Sequence, residues 1–316
     1  MAILLAVIFM NDSLFYEVPE PFLNQAGVAD VGYGFQLEGI TYLGYLTRIV
    51  ALDKEGKTPY LFEKKGRGPR ELMSGGPIFG LNHKIYCHDV LGHKLAVFGL
   101  DLNYEKDASL KKYPSGRLYF VNNGKKLFSI SYSENGKRIS IDKWNLKSLK
   151  PSLIKEMVFD FEIPLVPLTA SFSDQNTILF MEKLQIRDHI LLHTFDINTE
   201  SLNSYGFPNP DFDKRAENSV NLSYFNVMQY GLEISSICSD QKNIYIFAIN
   251  YDPGQNPRLA VNAGYRYFAI NKQSKNLIDL KEIPYTSVSG HHFGALQVME
   301  NENGEIVVAH PKYFLN

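Results

Sequence analysis

The histidines and arginines of the long polar connections are the residues whose types could do chemistry. His291 and His292 are adjacent in Ser-Gly-His-His-Phe-Gly, while Arg215 and Arg258 stand in or beside two other connections. The three connections span residues 208–218, 251–257 and 287–293. Imidazole and guanidinium groups suit an anionic or sugar-like ligand, and long ordered loops tend to be functional. We therefore predict that His291, His292, Arg258 and Arg215 bind a ligand on one shared rim.

Metal and catalytic chemistry have weaker sequence signals. Adjacent residues on a strand point to opposite faces, so His291 and His292 could share one ion only in a loop. No Gly-x-Ser-x-Gly nucleophile motif occurs. A metal-dependent hydrolase or lyase is the alternative function, and it would need ligands from several strands, such as Asp53, Asp89 and Asn250. We predict no catalytic residue, no metal ligand and no cofactor.

The run from Gly66 to Glu71, Gly-Arg-Gly-Pro-Arg-Glu, has two interpretations. Backbone N–H groups of a Gly-rich loop can cradle phosphate, but Pro69 lacks that donor and no Lys-Ser/Thr pair follows. The favoured interpretation is a structural loop in which Gly66 and Gly68 supply backbone freedom, with a positive φ expected at Gly66. Glu71 is expected either to accept hydrogen bonds from this loop or to pair with one of its arginines.

Charge and cysteine usage exclude several classes of function. The 316 residues carry 32 basic and 34 acidic side chains, for a formal net charge of −2. The densest basic patch, Lys64 to Arg70, is diluted by Glu63 and Glu71, so nucleic acid is not a predicted partner. Cys87 and Cys238 lie in apolar runs and are expected to be buried free thiols, with a disulfide as the alternative.

Neither the N-terminal stretch nor any other is long and apolar enough for a membrane-spanning helix. Residues 2–10 are apolar, but they have no basic residue before them and no small-residue cleavage site after them, so there is no clear signal peptide. They are expected to form a strand that continues into residues 14–18. A remnant of a signal peptide is the alternative.

The elements that must position these residues are short strands joined by polar turns. Predicted strands include 42–52, 84–88, 94–98 and 220–227, and Asn-Asn-Gly at 122–124 predicts a hairpin between 117–121 and 126–132. One sequence pattern recurs: two apolar strands, then Asp or Asn, then a turn. Its best copies lie at 82–101, 176–199 and 242–272. Because a four-stranded propeller blade needs about 40–50 residues, the length corresponds to six or seven blades, of which we favour six.

The predicted fold is therefore an all-β, six-bladed β-propeller of four-stranded antiparallel blades. It is expected to be a single domain over residues 1–316 and a monomer. Residues 2–9 are expected to pair with C-terminal strands and so close the ring, because residues 305–309 end the chain without a full last blade.

The loop from Gly66 to Glu71, followed by Ile85-Tyr86-Cys87-His88-Asp89 and a strand ending in Phe98, resembles the TolB-like six-bladed β-propellers of Bacteroidetes. The family pattern is Gly-x-Gly-Pro-Gly-Glu, then Ile-Tyr-x-x-Asp, then a strand ending in Phe. This chain departs at Arg70, where the family often has Gly, and at Leu72, where Phe is frequent. The resemblance covers about a sixth of the chain. It implies a periplasmic or cell-surface protein, although no lipobox cysteine stands near the start.

Function follows less directly than fold. The favoured hypothesis is a non-catalytic binding or scaffold propeller at the cell envelope that recognises a protein, peptide or glycan. A purely structural module of an envelope assembly is a further alternative, beside the metal-dependent enzyme.

Overall fold

Every named element of the computed structural model is a β-strand, which confirms the all-β class. The structure describes residues 15–17, 33–45, 47–53, 55, 57–74, 76–113, 118–133, 138–158, 168–185, 188–209, 232–252, 261–282, 285–291, 296–301 and 306–309. The chain divides into two compact units, which we describe separately. The predicted single domain over 1–316 stays a prediction.

The first unit comprises residues 1–115, 285–291 and 296–316, and its described strands form three four-stranded antiparallel sheets. One sheet has the order β2 (Tyr33–Leu37), β3 (Ile40–Tyr45), β4 (Arg48–Leu52), β5 (Tyr60–Glu63). The next has the order β6 (Ile78–Leu81), β7 (Lys84–Asp89), β8 (Lys94–Phe98), β9 (Tyr104–Ser109). In the third, the order is β1 (Phe15–Glu17), β25 (Ile306–Ala309), β24 (Leu296–Asn301), β23 (Tyr285–His291).

The second unit comprises residues 116–284 and 292–295, and its described strands also form three sheets. The first is β10 (Leu118–Asn122), β11 (Leu127–Tyr132), β12 (Arg138–Asn145), β13 (Lys150–Val158). The second is β14 (Leu168–Phe172), β15 (Thr177–Glu182), β17 (His189–Asp196), β18 (Ser201–Pro208). The third has five strands: β16 (Leu184–Gln185), β19 (Leu232–Ser239), β20 (Asn243–Asp252), β21 (Val261–Asn271), β22 (Leu277–Glu282).

The predicted set of six four-stranded blades is not reproduced as such, because five of these sheets have four strands and one has five. The extra strand, β16, lies in the connection between β15 and β17, and pairs with β19 of the next sheet through Leu184–Glu233 and Gln185–Leu232. The expected closure through residues 2–9 lies outside the described residues. Within residues 14–18, β1 pairs antiparallel with β25, the last described strand.

The predicted single strand 42–52 is wrong. The chain forms a hairpin there, in which Tyr45 of β3 faces Arg48 of β4. The sequence predicted one strand because the residues between the two apolar strands include no Gly, Asn or Pro to indicate a turn. Strand 94–98 is confirmed with its bounds, and so is the hairpin across Asn123 and Gly124. The predicted strand 220–227 lies outside the described residues.

The described apolar cores lie between consecutive sheets. In the first unit, Phe62 of β5 meets Phe98 of β8 with ring centroids 4.8 Å apart. In the second unit, Phe128 of β11 meets Phe172 of β14 at 5.6 Å. Every residue of β8 and of β11 is buried. The fourth strand β9 alternates between half-buried and exposed residues and carries charges that protect a sheet edge.

The recurring Asp or Asn at the end of a strand closes a turn between the third and fourth strands of a sheet. In the second unit, its Oδ1 accepts hydrogen bonds from the N–H groups two and three residues later, at Asn145, Asp196 and Asn271. The fifth residue of each turn has a left-handed backbone: Leu149, Glu200 and Lys275, with φ of 51°, 53° and 59°. The recurrence seen in the sequence is thus a repeated turn geometry.

Candidate functional site

The four predicted ligand-binding residues are not brought together by the described part of the structure. Arg215, Arg258 and His292 lie outside the described residues. His291 is the last residue of β23, where its backbone pairs with Leu296 of β24. Their role in binding stays a prediction.

The Gly-rich loop between β5 and β6, in the first unit, is the best-defined polar assembly among the described residues. It closes on itself, since Leu72 N–H donates to the Lys64 carbonyl (2.8 Å) and Gly66 N–H donates to the Leu72 carbonyl (3.1 Å). The side chain of Leu72 is fully buried and belongs to the core of the first unit. The loop is therefore anchored to the core and closed by its own backbone.

The Glu71 carboxylate turns into this loop, as one of the two expectations had it. Its Oε2 accepts a hydrogen bond of 2.7 Å from the backbone N–H of Gly68. A Cβ added at Gly66 would lie 2.0 Å from that same oxygen, and one added at Gly68 would lie 2.8 Å from it. A side chain at either glycine would therefore displace the Glu71 carboxylate.

The positive φ expected at Gly66 is confirmed, although its value of +159° is close to extended. The residue with a left-handed backbone is Arg70, with a φ of +66°. The turn reverses after Pro69, so the left-handed residue follows the proline and is not a glycine. A left-handed backbone is costly for a residue with a Cβ.

A buried lysine holds the loop from β8. The side chain of Lys94, which is 8% exposed, donates hydrogen bonds to the carbonyl of Glu71 and, at 3.4 Å, to that of Gly68. A buried ammonium needs such acceptors, because burial without them is costly. Sequence reasoning missed Lys94; its only signal was a charged residue at the start of an otherwise apolar strand.

Asp89 joins the segment after the loop to the tip of the β7–β8 hairpin. Its fully buried carboxylate accepts hydrogen bonds from the backbone N–H groups of Met73 (2.9 Å), Ser74 (2.9 Å) and Gly92 (2.8 Å). The Ser74 hydroxyl in turn accepts one from Leu91 N–H, at 3.2 Å. Asp89 thus acts in the structure as a backbone acceptor.

The other aspartate considered as a metal ligand also closes a turn. Asp53 Oδ1 accepts hydrogen bonds from the N–H groups of Glu55 (2.8 Å) and Lys57 (2.9 Å). Of Asn250, the structure describes the backbone in β20. Within the described ranges, no three His, Cys, Asp or Glu residues are grouped so that they could hold a metal ion.

The loop displays its basic side chains outward. Lys64, Lys65, Arg67 and Arg70 are all exposed, and we call these four residues the basic loop surface. The two acids expected to dilute this patch face elsewhere: Glu63 pairs with Arg48, and Glu71 turns inward to Gly68. Each of these two carboxylates therefore has its partner outside the four basic residues.

Tyr104 is the neighbour of this surface on β9. The backbone N–H of Arg70 donates to the Tyr104 hydroxyl, which in turn donates to the carboxylate of Asp107. Burial and the hydrogen bond to Asp107 raise the pKa of Tyr104 well above its usual range. Asp107 is exposed, so it is an acidic neighbour at one side of the basic loop surface.

Two buried histidines are held neutral. Burial lowers the pKa of His88 to about 4 and that of His193 to about 4, from the usual 6.5. His193 Nδ1 lies 2.8 Å from the Ser204 hydroxyl oxygen, and its ring stacks on Phe180 with centroids 5.1 Å apart. Both cysteines are free and buried, as predicted.

Comparisons with known proteins identify the fold. In sequence, the chain matches no protein-family profile and no curated protein. In structure it is similar to a member of the DUF4221 family from Bacteroides vulgatus, with a TM-score of 0.61 and 11% identity over 95% of this chain and 96% of that one. A protein from Bacteroides fragilis that is described as exported has a TM-score of 0.57 and 12% identity over 89% of this chain and 90% of that one.

A WD40 domain, that of Pan2 from Neurospora crassa, is also similar, with a TM-score of 0.54 and 8% identity over 97% of this chain and 85% of that one. WD40 repeats form β-propellers. Likenesses at these identities show the fold alone, and the chain is an all-β propeller of four-stranded antiparallel blades. No helix in the described ranges has the length and apolar character needed to cross a bilayer.

Proposed function

We propose that the chain is a non-catalytic binding or scaffold propeller that recognises a protein, peptide or glycan at the cell envelope. The observation that carries the proposal is the basic loop surface on its hydrogen-bonded support. The inward-facing ionisable groups Glu71, Asp89 and Lys94 bind the backbone and so fix the loop, while the outward-facing ones are exposed. A rigid loop that presents charged side chains suits recognition.

We also propose that the propeller has six blades and is of the TolB-like type. The five-stranded sheet is consistent with a count of six blades. Its extra strand β16 belongs to the connection between β15 and β17 of the preceding sheet and is therefore an addition to a four-stranded blade. Without β16, that sheet has the same four antiparallel strands as the other five. The pairing of β1 with β25 supports closure by strands from the two ends of the chain. Envelope location is supported by the similar Bacteroides fragilis protein that is described as exported.

Binding and turnover are separated by one experiment. The purified chain is incubated with arrays of synthetic peptides and of glycans, and each retained ligand is weighed by mass spectrometry before and after incubation. Saturable retention with unchanged ligand mass supports the proposal.

A ligand that is cleaved, especially when a divalent metal also raises the melting temperature, would favour the metal-dependent hydrolase or lyase instead. Retention of no peptide and no glycan would overturn the proposal.

A further inference from the structure

We propose that the basic loop surface binds an acidic segment of a polypeptide. This rests on the proposed binding function and names the partner class. The four side chains of Lys64, Lys65, Arg67 and Arg70 lie within seven consecutive residues and are exposed. Arginine forks match carboxylates in a bidentate way, and lysines add point charges that are less demanding of geometry.

These cations are available to a partner because the loop's own acids are engaged elsewhere. Within the described residues, the Glu71 carboxylate lies against Gly68 N–H, at 2.7 Å, and Glu63 lies against Arg48. The carbonyls of Gly68 and Glu71 accept from Lys94 and therefore turn inward as well. The loop thus gathers positive charge on one side and its acceptors on the other.

The backbone at Arg70 is a second and independent observation. Its φ is +66°. Glycine adopts this left-handed conformation without cost, whereas a residue with a Cβ adopts it only at a cost in free energy. Pro69 and the bond from Arg70 N–H to the Tyr104 hydroxyl hold that conformation in place. Non-glycine residues that the surrounding structure holds in this region occur at functional sites, as well as in turns such as those ending at Leu149, Glu200 and Lys275.

A small phosphate cradle does not fit the same loop. The N–H groups of Gly66, Gly68, Arg70, Glu71 and Leu72 all donate to groups of the chain itself. A phosphate site of the Gly-rich kind needs such donors directed at the ligand. Recognition at this loop must therefore come from side chains.

The surroundings favour a polypeptide over an extended polyanion. Asp107 borders the basic loop surface beside Tyr104 and would repel a long phosphate or sulfate backbone that ran past the four cations, whereas a short peptide can end before it. Leu91, which is 60% exposed, lies on the hairpin tip that is bonded to Ser74, just beyond the loop. Four cations with an exposed leucine nearby suit a short acidic peptide that carries an apolar residue.

The test uses the full chain and a fluorescently labelled synthetic peptide rich in Asp and Glu with one Leu. The matched peptide has Asn and Gln in place of the acids. Anisotropy should show binding of the acidic peptide that weakens as salt rises, and no binding of the amide peptide. Arg67→Gln with Arg70→Gln should weaken binding about tenfold, whereas Lys143→Gln with Lys150→Gln, two exposed lysines of the second unit, should leave it unchanged.

Arg70→Gly separates recognition from structure. It removes one cation and releases the left-handed strain, so it should weaken peptide binding while raising the denaturant midpoint. Arg67→Gly removes a cation at a residue without a positive φ and should weaken binding without that gain. If Arg70→Gly lowers the midpoint, the side chain supports the fold, and the proposed role of Arg70 is wrong.

Three results would overturn the partner class: no binding of the acidic peptide at low salt, equal binding by the arginine variants, or tighter binding of single-stranded DNA or a sulfated oligosaccharide. Any of them leaves the proposed binding function standing if the arrays still retain a ligand, so the two failures are distinguishable.

Discussion

Asp89 binds Ser74 twice, because its Oδ1 accepts hydrogen bonds from both the backbone N–H (2.9 Å) and the hydroxyl (3.0 Å) of that residue. The two residues are 15 positions apart, at the end of β7 and in the segment that follows the basic loop surface. The contact therefore positions the loop against the β7–β8 hairpin. It also shows how a carboxylate can be buried: backbone and hydroxyl donors replace the water that it loses.

Asp89→Ala should strongly destabilise the first unit. The substitution leaves the N–H groups of Met73, Ser74 and Gly92 without their acceptor in a buried place, at a cost of about 3 kcal/mol. Urea denaturation monitored by fluorescence measures it. Asp53→Ala is the matched control, because its carboxylate closes a less buried turn and its loss should cost about 1 kcal/mol. Equal losses in the two variants would contradict the role given to burial.

Gly66→Ala should destabilise the loop because the new methyl group would meet the Glu71 carboxylate. The expected cost is about 2 kcal/mol, since Glu71 must leave Gly68 N–H. A double-mutant cycle with Glu71→Ala checks the cause. Once the carboxylate is absent, Gly66→Ala should cost much less; additive losses would show that the steric argument is mistaken.

The sequence predicted the middle strands of the sheets better than the others. β8 was found with its bounds because Lys94 to Phe98 is an apolar run between a turn at Gly92 and Gly99. The first strands of several sheets were missed. β2 reads Tyr-Gly-Phe-Gln-Leu and β6 reads Ile-Phe-Gly-Leu, and such short runs with a glycine show neither alternation nor length.

The loop was predictable in type but not in geometry. Two glycines and a proline predict a tight turn, and an acid after them is a reasonable acceptor. Which residue becomes left-handed depends on how the chain leaves Pro69, and that is set by Leu72 in the core and by Lys94 on β8. Lys94 is 23 residues from Glu71, and no local pattern reports a contact over that separation.

Stability should fall on acidification because of His193. Its pKa in the folded chain is about 4, below the usual 6.5. Between these two pH values, His193 is protonated in the unfolded chain and neutral in the folded chain. The contribution is present above pH 6.5 and is lost as the pH falls towards 4. Between pH 7 and 5, we expect His193 to lower the free energy of unfolding by about 2 kcal/mol.

Denaturant unfolding of the chain at both pH values measures this contribution, as the difference between the wild type and a variant at residue 193. His193→Phe keeps an aromatic ring against Phe180 and should reduce the pH dependence. Ser204→Ala removes the hydroxyl contact but leaves the imidazole buried, so it should keep the dependence. If His193→Phe and the wild type respond equally to pH, another group is responsible.

The pairing of β1 with β25 should matter for stability. Phe15 faces Ala309, Tyr16 faces Val308 and Glu17 faces Val307, so β25 has neighbours on both sides. Removing residues 1–17 would leave β25 as an open sheet edge and break the backbone hydrogen bonds of that ladder, which should lower the free energy of unfolding by about 3 kcal/mol. Removal of residues 1–14 alone keeps β1 and is the matched control. A denaturant midpoint that falls only in the longer truncation would locate the contribution in β1. Equal midpoints in both truncated chains and the full chain would show that β1 does not stabilise the sheet of β23, β24 and β25.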